Sequence, residues 1–340
     1  MNESKQFFIG IDVSKLWFDL ALLTVTNHQK GQVITQCFDN DAAGIKALHQ
    51  WLKKQQVSFD SNTLVVIENT GIYHRHIWSY CSKVNLPLHI GNAARIKWSL
   101  GITRGKSDSI DCKRLCNYAY KEADELKATP VLNPVFLKLK DLMAARSGLV
   151  KQLHSIGNYL KELSQSPDQK LKKMMDKAHR QALEGIKASI KNLEAQIVKM
   201  IDADEALNNN YKLIKTIPGI GHLTAVYLLC CTNNFASKVS GKQLASYAGV
   251  VPFGNDSGTS IKGKPRVHKM ANKTLKKMLH LCALTAIKYS PEFKQYFDRK
   301  KAEGKNGMLV LNAIRNKLVL RVVSVVNNQM PYVNYTEKAA

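Results

Sequence analysis

Two apolar runs in the first seventy residues end on a carboxylate, and this constrains the fold of the chain more than any other feature. Phe7-Phe8-Ile9-Gly10-Ile11 runs into Asp12, and Leu64-Val65-Val66-Ile67 runs into Glu68. Short apolar runs of this kind, bounded by turns, read as buried strands. Asp108 and Asp111 lie three residues apart at the start of a predicted helix, which puts them on one face. Carboxylates at the ends of two neighbouring strands and on a facing helix can converge on divalent cations. That arrangement serves metal-assisted phosphoryl transfer, chemistry suited to nucleic-acid backbones.

The elements around these acids have a readable order. Residues 7–13, 16–23 and 31–38 are expected to be strands joined by short turns, followed by a helix over 42–55 and a buried strand over 64–68. A helix over 73–84, a strand over 88–90 and a helix opening near Asp108 complete the set. Three strands, helix, strand, helix, strand, helix is the RNase H-like (RuvC-like) order, an α/β layer architecture. The middle of the chain changes character. Leu149, Leu153, Ile156, Leu160 and Leu163 step by four and three, as do Ile186, Ile190, Leu193, Ile197 and Met200, with Ser164-Gln165-Ser166-Pro167 between them. This predicts an antiparallel helical hairpin or coiled-coil arm, either a spacer or a dimerisation element. The expected organisation is an α/β domain over 1–128, the helical arm over 129–208 and a mainly α domain over 209–335.

Charge points to the same class of partner as the acids. The chain carries 50 Lys and Arg against 26 Asp and Glu, a formal +24, of which +16 falls in residues 211–340. An excess of this size is an electrostatic footprint for polyanions. The seven cysteines contain no C-x-x-C pair, so neither a zinc knuckle nor a disulfide framework is expected. Cys112 and Cys116 share a helix face and read as buried small hydrophobes. No long apolar run and no charged-then-apolar leader is present, so the expectation is a cytoplasmic protein, nucleoid-associated, with no membrane partner.

Two segments of the last third could meet a phosphate. Thr216-Ile217-Pro218-Gly219-Ile220-Gly221-His222 has the glycine-bracketed turn of a helix-hairpin-helix, although a plain helix start after a turn explains it almost as well. Gly254-Asn255-Asp256-Ser257-Gly258-Thr259-Ser260 precedes Lys262, Lys264, Arg266, His268 and Lys269. Small hydroxyl-bearing residues beside a basic segment could present a serine oxygen to a phosphodiester while cations hold the flanking phosphates. By itself this stretch reads first as a serine-rich surface loop. Lys273, Lys276 and Lys277 on the helix after it, beside the +16 of local charge, read as tracking a nucleic-acid backbone, while Arg95, Lys97, Arg104 and Lys106 ahead of the acidic pair are candidate strand contacts that read equally as solvated charge.

Taken together, Gly10-Ile11-Asp12-Val13-Ser14-Lys15, Ile67-Glu68-Asn69-Thr70-Gly71, Lys106-Ser107-Asp108-Ser109-Ile110-Asp111, Ile217-Pro218-Gly219-Ile220-Gly221 and Asp256-Ser257-Gly258-Thr259-Ser260 resemble, in order, the DEDD transposases of the insertion sequence 110 family. That family includes bridge-RNA-guided recombinases and Piv-type DNA invertases. The resemblance implies a RuvC-like domain, a coiled-coil arm and a transposase domain with a nucleophilic serine. It implies that Asp12, Glu68, Asp108 and Asp111 bind Mg2+ or Mn2+, that Ser257 attacks DNA, and that a guide (bridge) RNA from the element's own locus selects donor and target DNA. Ser260 is a competing hydroxyl. Cys112 stands where the family usually has alanine, and Asp256 where it has glutamate. The serine and the tetrad fall in different expected domains, and the resemblance implies assembly across subunits of a homodimer or tetramer.

Three other classes fit parts of the pattern. A RuvC-type structure-specific endonuclease would use the same tetrad with water as nucleophile. An actin-like kinase or ATPase shares Gly10-Ile11-Asp12 but needs a second glycine-rich phosphate loop, and it leaves the basic last third unexplained. A nucleic-acid chaperone would make the tetrad irrelevant. The motifs and the charge jointly favour a metal-dependent transposase or site-specific recombinase.

Overall fold

The computed structural model describes residues 5–101, 108–131, 133–257, 261–268 and 270–333. The chain divides into two compact units, Met1–Asn133 and Pro134–Ala340.

In the first unit the strands are β1 (Lys5–Val13), β2 (Trp17–Thr26), β3 (Gln29–Lys30), β4 (Ile34–Asp39), β5 (Thr63–Glu68) and β6 (Leu88–Gly91). The helices are α1 (Ala42–Lys54), α2 (Arg75–Lys83), α3 (Ala93–Ser99) and α4 (Asp108–Lys121). The strands form one mixed sheet in the order β3-β2-β1-β5-β6, with β4 alongside β2. β2 runs antiparallel to β1 and β4, while β5 runs parallel to β1 and β6 parallel to β5. Side chains alternate across the sheet with period two. Phe7, Ile9, Ile11, Phe18, Leu20, Val65 and Ile67 therefore pack with Leu48 and Leu52 of α1 and Ile77 and Tyr80 of α2. Phe8, Ala21, Leu23 and Val66 face the other way, onto Ile96 of α3 and Cys112, Leu115, Cys116 and Ala119 of α4.

Gly10 sits under α4, and its missing side chain lets the helix lie on the sheet. A Cβ there would stand 2.0 Å from the Cys116 amide nitrogen and 2.4 Å from the Cys112 carbonyl oxygen. The Cys116 thiol also donates to the Phe8 carbonyl at 3.1 Å, and Phe8 meets Tyr120 edge to face at 5.3 Å. Cys112 and Cys116 are buried, as their reading as small hydrophobes expects.

The second unit is helical apart from one ribbon: α5 (Pro134–Leu163), α6 (Gln169–Asp202), α7 (Glu205–Lys215), α8 (His222–Thr232), α9 (Gly241–Tyr247), β7 (Pro252–Ser257), β8 (Ile261–Val267), α10 (Lys273–Tyr289), α11 (Pro291–Ala302) and α12 (Gly307–Asn328). Arg146 pairs with Glu194 at 2.6 Å and Tyr159 meets His179 at 5.7 Å, so α5 and α6 run antiparallel. Leu153, Ile156, Leu160, Ile186 and Ile190 are only half-covered, because two helices alone cannot enclose a stripe. The root of the hairpin belongs to the core of the second unit. Phe136, Leu139, Ile197 and Ile201 pack in one cluster with Leu213, Leu229, Leu279 and Leu318.

Three local features depart from expectation. The strand expected over 31–38 is β4, Ile34–Asp39, and the two-residue β3, Gln29–Lys30, precedes it. Helix α3 went unanticipated, although its N-cap signal is plain: Asn92 Oδ1 accepts from the Ala94 and Arg95 amides. Of the segment read as a serine-rich loop, residues 254–257 belong to β7 of a two-stranded antiparallel ribbon, with Asp256 opposite Lys262 and Ser257 opposite Ile261, and residues 258–260 lie outside the described residues. Phe253 pairs with Arg266 and Asn255 with Gly263, so two residues of β8, Lys264 and Pro265, oppose Gly254 alone. The bulge accommodates a proline that has no amide to give the ladder.

Candidate active site

Asp12, Glu68 and the N-terminal end of α4 reach one edge of the sheet from one face. Strand alternation puts Asp12 on the side of Phe8 and Gly10, and Glu68 on the side of Val66, which is the face that α4 covers. Parallel pairing of Ile11 with Ile67 sets the two acids side by side one residue further on. Helix α4 supplies the rest by its direction. Cys116 lies at Phe8 and Gly10, while Cys112 feels the charges of Asp19 and Asp12, so the helix N-terminus points toward the carboxylate end of β1. Asp111 lies one turn before Leu115 in that direction.

The individual groups differ in state. Asp12, Glu68 and Asp111 are each partly exposed. Asp111 accepts a charge-assisted bond from the Arg114 guanidinium at 2.7 Å. Asp108 opens α4, and its side chain lies outside the described part of the structure. Among the described residues, no group of three or more His, Cys, Asp or Glu is gathered closely enough to hold a metal ion.

Two residues of this edge escaped the sequence reading. Asp19 stands directly across from Asp12 in the β1–β2 register, so it is a further carboxylate on the α4 face. Its charge acts on two thiols. Burial, then Asp19, raises Cys37, and burial followed by Asp19 pushes Cys112 up to about 11. Trp-Phe-Asp-Leu within a strand offered no sign that the aspartate would face an active edge, since the pairing partner is a register property. Asn40 is the second. Its side-chain amide donates to the carbonyls of Ser14 at 2.9 Å and Tyr73 at 3.0 Å. It thereby ties the turn after Asp12 to the loop after Glu68.

The remaining candidates lie on α3, the β7–β8 ribbon and α10. Arg95 and Lys97 are exposed on α3, with Arg95 3.7 Å from Glu125. Arg104, Lys106, Lys269 and Ser260 lie outside the described residues. Ser257 ends β7, and Lys262 and Lys264 lie on β8; the side chains of all three are outside the described part. Arg266 and His268 are exposed, and His268 Nδ1 accepts from the Met270 amide at 3.0 Å. On α10, Lys273 and Lys277 are exposed and Lys276 is half-buried. The Pro218-Gly219-Ile220-Gly221 turn joins α7 to α8. Gly219 takes a left-handed φ of +86°, where a Cβ would stand 2.4 Å from the Cys282 carbonyl.

A pilin gene-inverting protein of Moraxella bovis is 30% identical to this chain over 340 aligned residues, spanning 96% of this chain and 97% of that one. The corresponding protein of Moraxella lacunata matches to the same extent. A transposase family model matches residues 9–165, and the model of the IS116/IS110/IS902 transposase family matches residues 211–298. The chain belongs to the IS110 family of transposases. An uncharacterized 43.6 kDa protein of insertion element IS110 from Streptomyces coelicolor is 34% identical over 113 residues, 33% of this chain and 27% of its own length. IS110-family membership makes this a DNA-cutting enzyme of the transposase and invertase class and implies dependence on a divalent metal. No helix among the described residues is long and apolar enough to cross a membrane.

Proposed function

We propose that this chain cuts and rejoins double-stranded DNA as a transposase or site-specific recombinase, through a covalent phosphoserine link formed by Ser257 and a divalent-metal site built on an RNase H-like sheet. The observation that carries the reading is the convergence of Asp12, Glu68 and the start of α4 on one sheet edge, produced by parallel β1–β5 pairing and the contact at Gly10. The mixed sheet with one antiparallel hairpin side and two parallel additions supports the RNase H-like assignment.

The donor set fits Mg2+ or Mn2+, because Asp12, Glu68, Asp108 and Asp111 offer only hard carboxylate oxygens. A bound ion there supplies Lewis-acid polarisation of the scissile phosphate and charge stabilisation at the leaving oxygen. The protein's own groups do the rest. Arg114 holds Asp111 until that carboxylate is required elsewhere, and Asn40 ties the turn after Asp12 to the loop after Glu68. The Ser257 oxygen attacks phosphorus as one DNA phosphoester bond breaks and a serine phosphoester forms, and the serine proton is lost to a base or solvent. Bond energy is conserved, so rejoining needs no nucleotide cofactor. In this reading a guide RNA from the element's own locus selects the DNA, the Leu149–Met200 hairpin joins chains into dimers and tetramers, and Lys262, Lys264, Arg266 and the α10 lysines grip backbone phosphates.

The test is a denaturing gel for a covalent protein–DNA adduct, with protein co-expressed with the DNA flanking its gene. Wild type is expected to give an adduct. Ser257→Ala, Asp12→Ala, Glu68→Ala and Asp111→Ala are expected to give none while still binding nucleic acid. Free cleaved ends with no adduct from wild type or Ser257→Ala would overturn the serine assignment in favour of water as nucleophile.

A further inference from the structure

Helices α11 and α12 border a cleft of about 440 Å³ lined by Glu292, Phe293, Gln295, Tyr296, Arg299 and Lys317. Its floor is rigid. Phe293 is fully buried, and the Arg321 guanidinium stacks between the rings of Phe293, at 4.3 Å, and Tyr332, at 4.9 Å. Glu292, the only carboxylate among the described residues that line the cleft, is consumed within that floor. It accepts from Arg321 and, at 2.5 Å, from the Tyr332 hydroxyl.

The cations above the floor make no ion pair within 4 Å among the described residues, although the charge of Arg299 also acts on Glu303. The Lys317 ammonium lies 4.7 Å and the Arg299 guanidinium 5.8 Å from the Tyr296 ring centre, and both side chains are exposed. Among the described residues neither forms an ion pair, whereas the neighbouring Lys300 and Lys305 both reach Glu303. Two like charges converging on one ring repel each other, and the ring's quadrupole offsets this only partly. A concave site with unpaired cations, an aromatic wall and its own acid already neutralised is complementary to a phosphodiester. The segment from Pro291 to Arg321 also carries eight Lys and Arg against three Asp and Glu, so the wider field favours a polyanion.

Resting on the DNA-cutting activity, we infer that the Arg299–Lys317 cleft is a backbone-phosphate contact for duplex DNA, distinct from the ribbon and α10 contacts. Both side chains are solvent-facing, so their removal leaves the fold intact, which circular dichroism checks. The experiment measures duplex DNA binding by fluorescence anisotropy across a salt series, for wild type, Arg299→Ala/Lys317→Ala, Arg299→Lys and a charge-matched control, Lys53→Ala/Lys54→Ala on α1. The double variant is expected to flatten the slope of log affinity against log salt by about two, roughly one per lost phosphate contact, and to weaken binding several-fold at moderate salt. Arg299→Lys is expected to keep the wild-type slope. An unchanged slope in the double variant, or an equal change in the control, overturns the site. A loss confined to RNA of the same length overturns the DNA assignment. A wild type whose DNA affinity ignores salt overturns both the cleft and the DNA part of the proposed function. Absence of a serine adduct leaves the slopes untouched, so the two failures are distinguishable.

Discussion

Replacing Gly10 by alanine adds one methyl group and should dismantle the carboxylate edge. The new Cβ would stand 2.0 Å from the Cys116 nitrogen, 2.4 Å from the Cys112 oxygen and 2.6 Å from the Leu115 carbonyl carbon. Carbon contacts relax only near about 3.5 Å, so α4 must retreat by about 1.5 Å. All three obstructing atoms are backbone, so no rotamer change relieves them. Overpacking of this kind costs about 1–3 kcal/mol, and the upper end applies where a whole helix must move. The retreat also carries the start of α4, with Asp111, away from Asp12, and a misplacement of about 1 Å can cost on the order of 100-fold in rate. The four tryptophans, Trp17, Trp51, Trp78 and Trp98, all fall in the first unit, so their fluorescence in a urea titration reports that unit alone. Gly10→Ala is expected to lower the tryptophan-monitored stability by about 3 kcal/mol and to abolish DNA cleavage. Adding Cys112→Ala and Cys116→Ala should restore neither. Wild-type stability in Gly10→Ala, or rescue by trimming the cysteines, would refute the reasoning.

Two further outcomes are expected at the same edge. Asp12 and Asp19 are directly cross-strand, and like charges so placed destabilise a sheet. Asp19→Asn keeps an oxygen for the hydrogen bond with the Cys37 thiol and removes the repulsion, so it should stabilise the first unit by roughly 0.2–1 kcal/mol in the urea titration; a loss of stability would show that the charge of Asp19 is needed by its bonding partners. Burial pushes Cys81 and Cys116 up to about 12 and Cys112 to about 11, all above the unfolded value near 9. A thiol that keeps its proton longer in the folded state adds stability that is whole below pH 9 and is lost as pH rises toward 12. Cys116→Ala should flatten that decline, and an identical pH slope in the variant would exclude the thiol as its source.

Legibility in the sequence tracked how local each signal was. The period-two runs into Asp12 and Glu68 and the 3.6-residue stripes of α4, α5 and α6 were readable, because a strand or helix face is written within a dozen residues. The Asn92 cap was equally local and was overlooked. The β7–β8 ribbon was not readable, because Gly254-Asn255-Asp256-Ser257 has the composition of a turn and becomes strand only by pairing with Ile261–Val267.

From its sequence alone this chain declares an α/β first part, a helical hairpin, a basic helical last part and the acids and serine proposed to carry its chemistry. Which acids share an edge is a different kind of fact. Register put Asp19 opposite Asp12, and a missing Cβ at Gly10 set the height of α4 over the sheet. Asn40 joined a turn 26 residues before it to a loop 33 residues after it. Those are relations between residues far apart in sequence, decided by pairing and packing once the elements meet, and no local pattern encodes them.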